Sequence, residues 1–189
     1  MLFRSPGSSL SNNNVTFRAT VKNQGTAPTP SGVTLGVGFS IDGGQNVTWS
    51  SSYSSSLATN ASVTLTANGG PTGSSTWKAT SGLHTLTATA DDINRFPESN
   101  EINNAMSVNL AISSGPPRIG PVTVTTNNVA GFTFSATTGI HYLVQYKNDL
   151  KDTQWSDLGS DVVASSNTVS VSDDLSGVAH RFYRVLQSN

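Results

Sequence analysis

The stretch Val15-Thr16-Phe17-Arg18-Ala19-Thr20-Val21-Lys22 alternates without a break. Val15, Phe17, Ala19 and Val21 are apolar, and the residues between them are polar. Successive side chains on a β-strand point to opposite faces, so this pattern reads as a strand with one buried and one wet face. Val33, Leu35, Val37, Phe39 and Ile41 repeat it, with small residues such as Gly36, Gly38 and Ser40 between them. Leu86, Ala88 and Ala90 form a third such face, and Met106, Val108, Leu110 and Ile112 a fourth. Asp42-Gly43-Gly44 between two strand signals reads as a hairpin turn. No window of useful length shows the 3.6-residue period of an amphipathic helix, so almost no helix is expected.

The signals pause at Ser113-Ser114-Gly115-Pro116-Pro117, where two prolines after small residues favour an extended linker. They resume with Val122 and Val124, then Phe132 and Phe134, then Tyr142, Val144 and Tyr146. Val169 and Val171 follow, then the terminal His180-Arg181-Phe182-Tyr183-Arg184-Val185-Leu186. The expectation is two all-β domains in tandem, both immunoglobulin-like or fibronectin-like sandwiches, at residues 1–113 and 119–189 with 114–118 between them.

Composition narrows the function classes. Of 189 residues, 11% are charged and the net charge is −1, which does not suit a phosphate backbone. The hydrophobic fraction of 35% is low for a globular chain, with Ser, Thr, Asn and Gly making up the difference. This suits an extracellular bacterial β-module. There is no cysteine, which excludes disulfides, thiolate metal sites and cysteine nucleophiles. No run approaches the roughly 18 apolar residues of a membrane span. Met1-Leu2-Phe3-Arg4 lacks the apolar stretch of a signal peptide, so the chain reads as a piece of a larger exported protein. Three matches to the glycosylation acceptor pattern, at Asn14, Asn46 and Asn60, are no more than chance supplies in so Ser/Thr/Asn-rich a chain.

Charge is concentrated in one place. The first 113 residues hold five carboxylates, and four of them (Asp91, Asp92, Glu98 and Glu101) fall within eleven residues. Asn94, Asn100 and Asn103 lie among or beside them, and Arg95 is the only cation. Two readings are open. Calcium takes six to eight oxygen ligands, and Asp91, Asp92, Asn94, Glu98 and Glu101 offer that chemistry in one connection, although the spacing is not that of an EF-hand. In the other reading these side chains cap turns and bind backbone amides, and Arg95 pairs with a carboxylate.

Aromatic rings are the second candidate site. Sugar C–H faces stack on exposed Trp or Tyr rings while hydroxyls bond polar neighbours. Trp49 and Tyr53 lie in Asn46-Val47-Thr48-Trp49-Ser50-Ser51-Ser52-Tyr53, which is polar apart from Val47. They are the candidate glycan platform if both are exposed and coplanar; otherwise they are core-edge rings. Trp77 is a third candidate, weighed against a place in the core. Trp155, Phe132, Phe134 and Phe182 read as packing.

Val15–Gly25, Gly82-Leu83-His84-Thr85-Leu86-Thr87-Ala88 and the acidic run ending Glu98-Ser99-Asn100-Glu101-Ile102-Asn103-Asn104 together resemble the CARDB family of bacterial immunoglobulin-like domains, whose name refers to cell adhesion. The resemblance covers most of residues 1–112. The start is short for that family, with the strand before Pro6 expected to be truncated. Thr64–Pro71 and Thr76–Thr80 look like a subset attached to bacterial polysaccharide-degrading enzymes. The resemblance implies a non-catalytic adhesion or accessory module. The second half is similar to a short C-terminal β-module of large secreted bacterial proteins, on Tyr142–Tyr146, Asn148-Asp149-Leu150, Trp155–Leu158 and Arg181–Val185, and that similarity implies architecture rather than activity.

Catalysis finds little support in the residues. His84, His141 and His180 all lie in strand-like runs, and no nucleophile elbow appears. Asp91-Asp92 and Asp173-Asp174 are adjacent pairs, whose side chains on a strand point apart, whereas a glycosidase needs two carboxylates facing across a cleft. The leading expectation is a secreted, non-catalytic module that binds polysaccharide beside an attached catalytic domain, with no nucleic acid and no membrane insertion. β-Glucan and marine algal polysaccharides are both compatible. The alternative is a structural spacer or adhesion pair with no glycan site.

Overall fold

The computed structural model describes residues 2–3 and 9–188. Of the stretch before Pro6, only Leu2–Phe3 is described, as a short strand that pairs with Thr20 and Ala19. The chain is all-β, and its strands form stacked sheets of sandwich type. Two compact units divide it: Met1–Thr80 with His84–Leu110, and Ser81–Leu83 with Ala111–Asn189. The one helical element among the described residues is a single 3-10 turn, Glu101–Asn103.

The first ten strands are β1 (Leu2–Phe3), β2 (Ser9–Leu10), β3 (Asn14–Val15), β4 (Arg18–Lys22), β5 (Leu35–Ile41), β6 (Asn46–Tyr53), β7 (Ser62–Thr66), β8 (Trp77–Lys78), β9 (Gly82–Ala90) and β10 (Ala105–Ser113). They form a three-stranded sheet β1-β4-β7, a five-stranded sheet β2-β10-β9-β5-β6 and a small pair β3-β8. The alternation at Val15–Val21 holds for burial, since Val15, Phe17, Ala19 and Val21 are all buried. It is not one strand, however. The chain pairs with β8 through Val15 and then with β7 from Arg18 onward, so the apolar face stays continuous while the ladder changes partner. Phe17 is wholly buried and meets Phe39 of β5 with ring centroids 5.7 Å apart, which locks the two larger sheets face to face. Truncating such a ring to Ala typically costs about 3–5 kcal/mol.

The expected hairpin turn is present. Asp42 and Gly43 have φ of 54° and 71°, and Gly44 donates its N–H to the Ile41 carbonyl at 3.0 Å. Positive φ at both central positions is the twist-matched two-residue turn that Asp-Gly favours.

The second unit holds β11 (Thr123–Val124), β12 (Val129–Ser135), β13 (His141–Lys147), β14 (Ser156–Asp157), β15 (Val162–Val163), β16 (Thr168–Asp174) and β17 (Phe182–Ser188). One sheet is β11-β12-β16; the other is built on β13, with β17 along one edge and β14 and β15 along the other. Phe132, Phe134, Tyr142 and Val144 form the core between them. The Phe134–Tyr142 and Phe132–Tyr183 centroids are 5.3 and 4.8 Å apart. Tyr142 keeps its hydroxyl satisfied inside this core by accepting the Thr137 N–H at 2.9 Å. Val122 and Val124, by contrast, are exposed on an edge.

Candidate functional site

The acidic run closes the connection between β9 and β10. Asp91 and Asn94 take φ of 46° and 52°, left-handed values that Asp and Asn tolerate better than most residues because their short side chains bond locally. Asp91 is buried. Its Oδ1 accepts the Arg95 N–H at 2.8 Å and its Oδ2 the Phe96 N–H at 3.2 Å. Arg95 Nη1 reaches Asp92 Oδ1 at 2.7 Å. The pair lies over Gly36 of β5, where a Cβ would fall 2.2 Å from Arg95 Nη1 and 2.4 Å from Asp92 Oδ1. Further along, Glu101 Oε1 accepts the Glu98 N–H at 2.9 Å and Oε2 accepts Asn104 Nδ2 at 3.2 Å. Asn100 Oδ1 caps the 3-10 turn by accepting the Ile102 N–H.

The candidate calcium ligands are therefore divided. Asp91 and Asp92 face backbone amides and a guanidinium at the start of the run, Asn94 is exposed at the turn, and Glu98 and Glu101 sit at its far end. Among the described residues no three His, Cys, Asp or Glu side chains converge to hold a metal ion. Both Asp91 oxygens and both Glu101 oxygens already accept N–H donors.

On β6 the register separates the two candidate rings. Thr48 and Ser50 are buried opposite Phe39 and Val37, so Trp49 between them, opposite Gly38, faces out of the sandwich. From Val37 to Leu35 the partner strand advances from Ser50 to Tyr53, three residues against two. That bulge inverts the face parity, and Tyr53 comes to lie opposite Leu35, a core residue. Four residues apart on a regular strand, Trp49 and Tyr53 would share a face; here they do not, and the expected coplanar platform is not formed. Trp49 is half-buried, its indole resting on Gly69, where a Cβ would sit 2.6 Å from Nε1. Trp77 is also half-buried. It stacks on Phe17 at 5.9 Å and meets the His84 ring edge-on at 5.3 Å, which makes it a flank of the core rather than a free surface.

Residues 3–108 match the model of the CARDB family, over an immunoglobulin-like sandwich of the kind just described. The chain belongs to the CARDB family. This is a non-catalytic family of adhesion or accessory modules found in extracellular or surface proteins of bacteria. No curated protein matches the chain. No helix among the described residues is long and apolar enough to cross a membrane.

Within the CARDB region the sequence reading missed one feature, a cavity of about 500 Å³ between residues 21–30 and the acidic run. Its buried lining is apolar: Val21, Leu35, Leu57, Ala90 and Phe96. Its accessible lining is mixed: Lys22, Gln24, Glu98, Asn100 and Asn103 are polar, and Ala27, Pro28, Pro30 and Pro97 are apolar. Asn23 shapes the near wall, donating to the Ala27 and Leu57 carbonyls and accepting the Gly25 N–H. Asn103 Nδ2 donates to Gln24 Oε1 at 3.2 Å across the mouth. Glu98 Oε2 is shielded from solvent and has no hydrogen-bond partner among the described residues. Desolvation pushes the Glu98 carboxyl above its ordinary pKa, Glu101 and Asp91 add to the rise, and Asn104 opposes it. The amides were visible in the sequence, but nothing there signalled that Gln24 meets a residue 79 positions away.

In the second unit Trp155, read as a packing residue, is half-buried and packs outside the core cluster. Lys147 Nζ and the Arg184 guanidinium lie 4.9 and 4.4 Å from its ring centroid, a cation–π arrangement on the outer side of β13 and β17. Phe182 likewise lies outside that core, paired with Lys147, whereas Phe132 and Phe134 are in it as expected. His84 and His141 pair with Asp42 and Asp161 at 2.8 and 2.5 Å. Ser188 donates to Asp161 rather than approaching the His141 ring, so these groups do not form a nucleophile–base pair.

Proposed function

We propose that this chain is a non-catalytic accessory module of an exported bacterial protein, and that its CARDB unit binds polysaccharide for a catalytic domain attached in the same parent protein. The two-domain division with 114–118 as linker is part of this proposal. The observation that carries it is the setting of Trp49. Trp49, Gly38 and Thr89 lie in one row across β6, β5 and β9, on the outer face. The Asn46 amide reaches over Gly38, within 2.3 Å of where a Cβ would stand. A half-exposed ring, an amide and a hydroxyl side by side match a sugar, which has an apolar C–H face edged by hydroxyls. Binding of this kind raises the local concentration of an attached enzyme at its substrate.

A structural or adhesive role is the second reading, favoured by the acidic run, whose carboxylates brace a corner of the fold. Affinity electrophoresis of the full chain through gels containing β-glucans and algal polysaccharides separates the two. Retardation that is lost in Trp49→Ala and kept in Tyr53→Ala supports the first reading. Migration unchanged by every polymer sinks it in favour of the second.

A further inference from the structure

We infer that the cavity between residues 21–30 and the acidic run is a saccharide pocket, which takes one or two sugar units with Glu98 as the central hydrogen-bond acceptor. This rests on the polysaccharide-binding reading above, but it assigns a second site with different residues. Three observations carry it. At about 500 Å³ the cavity falls within the range of small-ligand sites. Its lining is amphipathic, with exposed Ala27, Pro28, Pro30 and Pro97 beside the amides of Gln24, Asn100 and Asn103, and with Phe96, Leu35 and Leu57 buried behind. A sugar ring has the matching form, a C–H face for the prolines and hydroxyls for the amides. Lastly, Glu98 lines the cavity as a half-buried carboxylate, and a carboxylate so placed accepts strong hydrogen bonds from ligand hydroxyls.

The amides add direction. Asn103 Nδ2 already donates to Gln24 Oε1, which leaves the Gln24 Nε2 donor and the Asn103 Oδ1 acceptor at the mouth. A donor and an acceptor side by side suit neighbouring hydroxyls on one ring. The lining carries the Lys22 ammonium as well as the Glu98 carboxylate, so its charge does not select between a neutral and an acidic sugar.

The test uses the full chain in the gels described above, with di- and trisaccharides of the retarding polymer as competitors. Two variants probe the pocket: Glu98→Gln, and the double variant Gln24→Ala with Asn103→Ala. Gln24 and Asn103 are exposed, so the double variant leaves the core untouched, and its thermal midpoint should equal that of the wild type. The expected result is a fall of tenfold or more in affinity for both, with short saccharides competing in the wild type. If the wild type is retarded and both pocket variants are retarded equally, the pocket is overturned while the polysaccharide reading stands. If the pocket variants lose binding and Trp49→Ala keeps it, the pocket stands and Trp49 is no platform. A wild type that no polymer retards overturns both.

Discussion

Asp91 Oδ1 accepts the backbone N–H of Arg95 at 2.8 Å from a side chain with no solvent exposure. The second oxygen holds the Phe96 N–H, so one carboxylate turns the chain out of β9 and seats the Phe96 ring in the core. Removing it strands two amides and leaves Arg95 with Asp92 alone. Asp91→Ala should destabilise the chain by about 2–4 kcal/mol, the range for a buried charged acceptor whose donors are left unpaired. Urea titration followed by tryptophan fluorescence measures this. A loss under 1 kcal/mol would show that the corner is held by other contacts.

Calcium gives the same run a different signature. Because no three carboxylates converge on one point among the described residues, a chelator should leave the wild-type Tm unchanged. Glu98→Ala with Glu101→Ala should lower it with or without chelator, through loss of the Glu98 N–H and Asn104 contacts. Differential scanning calorimetry with and without chelator decides it. A chelator-dependent fall in the wild type would revive the metal.

Gly69 and Gly36 make a paired prediction about close approach. A Cβ at Gly69 meets the Trp49 indole, and one at Gly36 meets the Arg95–Asp92 pair. Gly69→Ala should swing the indole off its seat and redshift Trp49 emission in a background where Trp77 and Trp155 are phenylalanine. Gly36→Ala should leave that emission unchanged and lower stability by about 1–3 kcal/mol, the cost of forcing a methyl into occupied space. Equal spectra for the two variants would mean that Trp49 does not rest on Gly69.

These contacts mark the limit of what the sequence could reveal. The alternation at Val15–Val21 and Leu35–Phe39 identified the core faces, because burial on one side of a pleat leaves a period of two, but it carried the pattern too far back, to Val33, which lies before β5 and outside the core. The positive φ at Asp42 and Gly43 was legible because few residues tolerate it. The bulge that separates Trp49 from Tyr53 was not, since Ser51 and Ser52 carry no mark of an inserted residue and one extra residue reverses the face of everything beyond it. The cations around Trp155 come from positions 147 and 184, and the cavity mouth from 24 and 103. Such meetings are set by strand pairing across the fold, to which local pattern is blind. The glycines of β5 read as small spacers and proved to be floors under Arg95, Asp92 and Asn46.

Asp42 lends the molecule a pH dependence. Its carboxyl is held below its ordinary pKa first by the His84 hydrogen bond and then by the Thr85 N–H. A depressed folded pKa means that the stabilisation is fully present above the unfolded value near 4 and is lost as pH falls through the folded value. Asn tolerates the same left-handed backbone, so Asp42→Asn isolates the charge. The Tm gap between wild type and Asp42→Asn should be steady above about pH 5 and should close below pH 4, the span of an ordinary aspartate titration. Because half of the Asp42 side chain is exposed, the gap should also narrow in high salt. A gap independent of pH would assign the effect to the turn rather than to the charge.

Thr48 offers the opposite kind of test, a substitution that should strengthen the fold. It is fully buried opposite Phe39, and its hydroxyl has no hydrogen-bond partner among the described residues. An unbonded hydroxyl in an apolar layer costs about 1–3 kcal/mol, and valine has the same branched shape without that cost. Both residues favour strands, so the backbone of β6 should not move. Thr48→Val should therefore raise stability by about 1–2 kcal/mol in urea titration, with retardation on polysaccharide unchanged because the side chain points away from the Trp49 face. A destabilised variant would mean that the hydroxyl holds a buried water, and the core behind Trp49 would then be wet rather than dry.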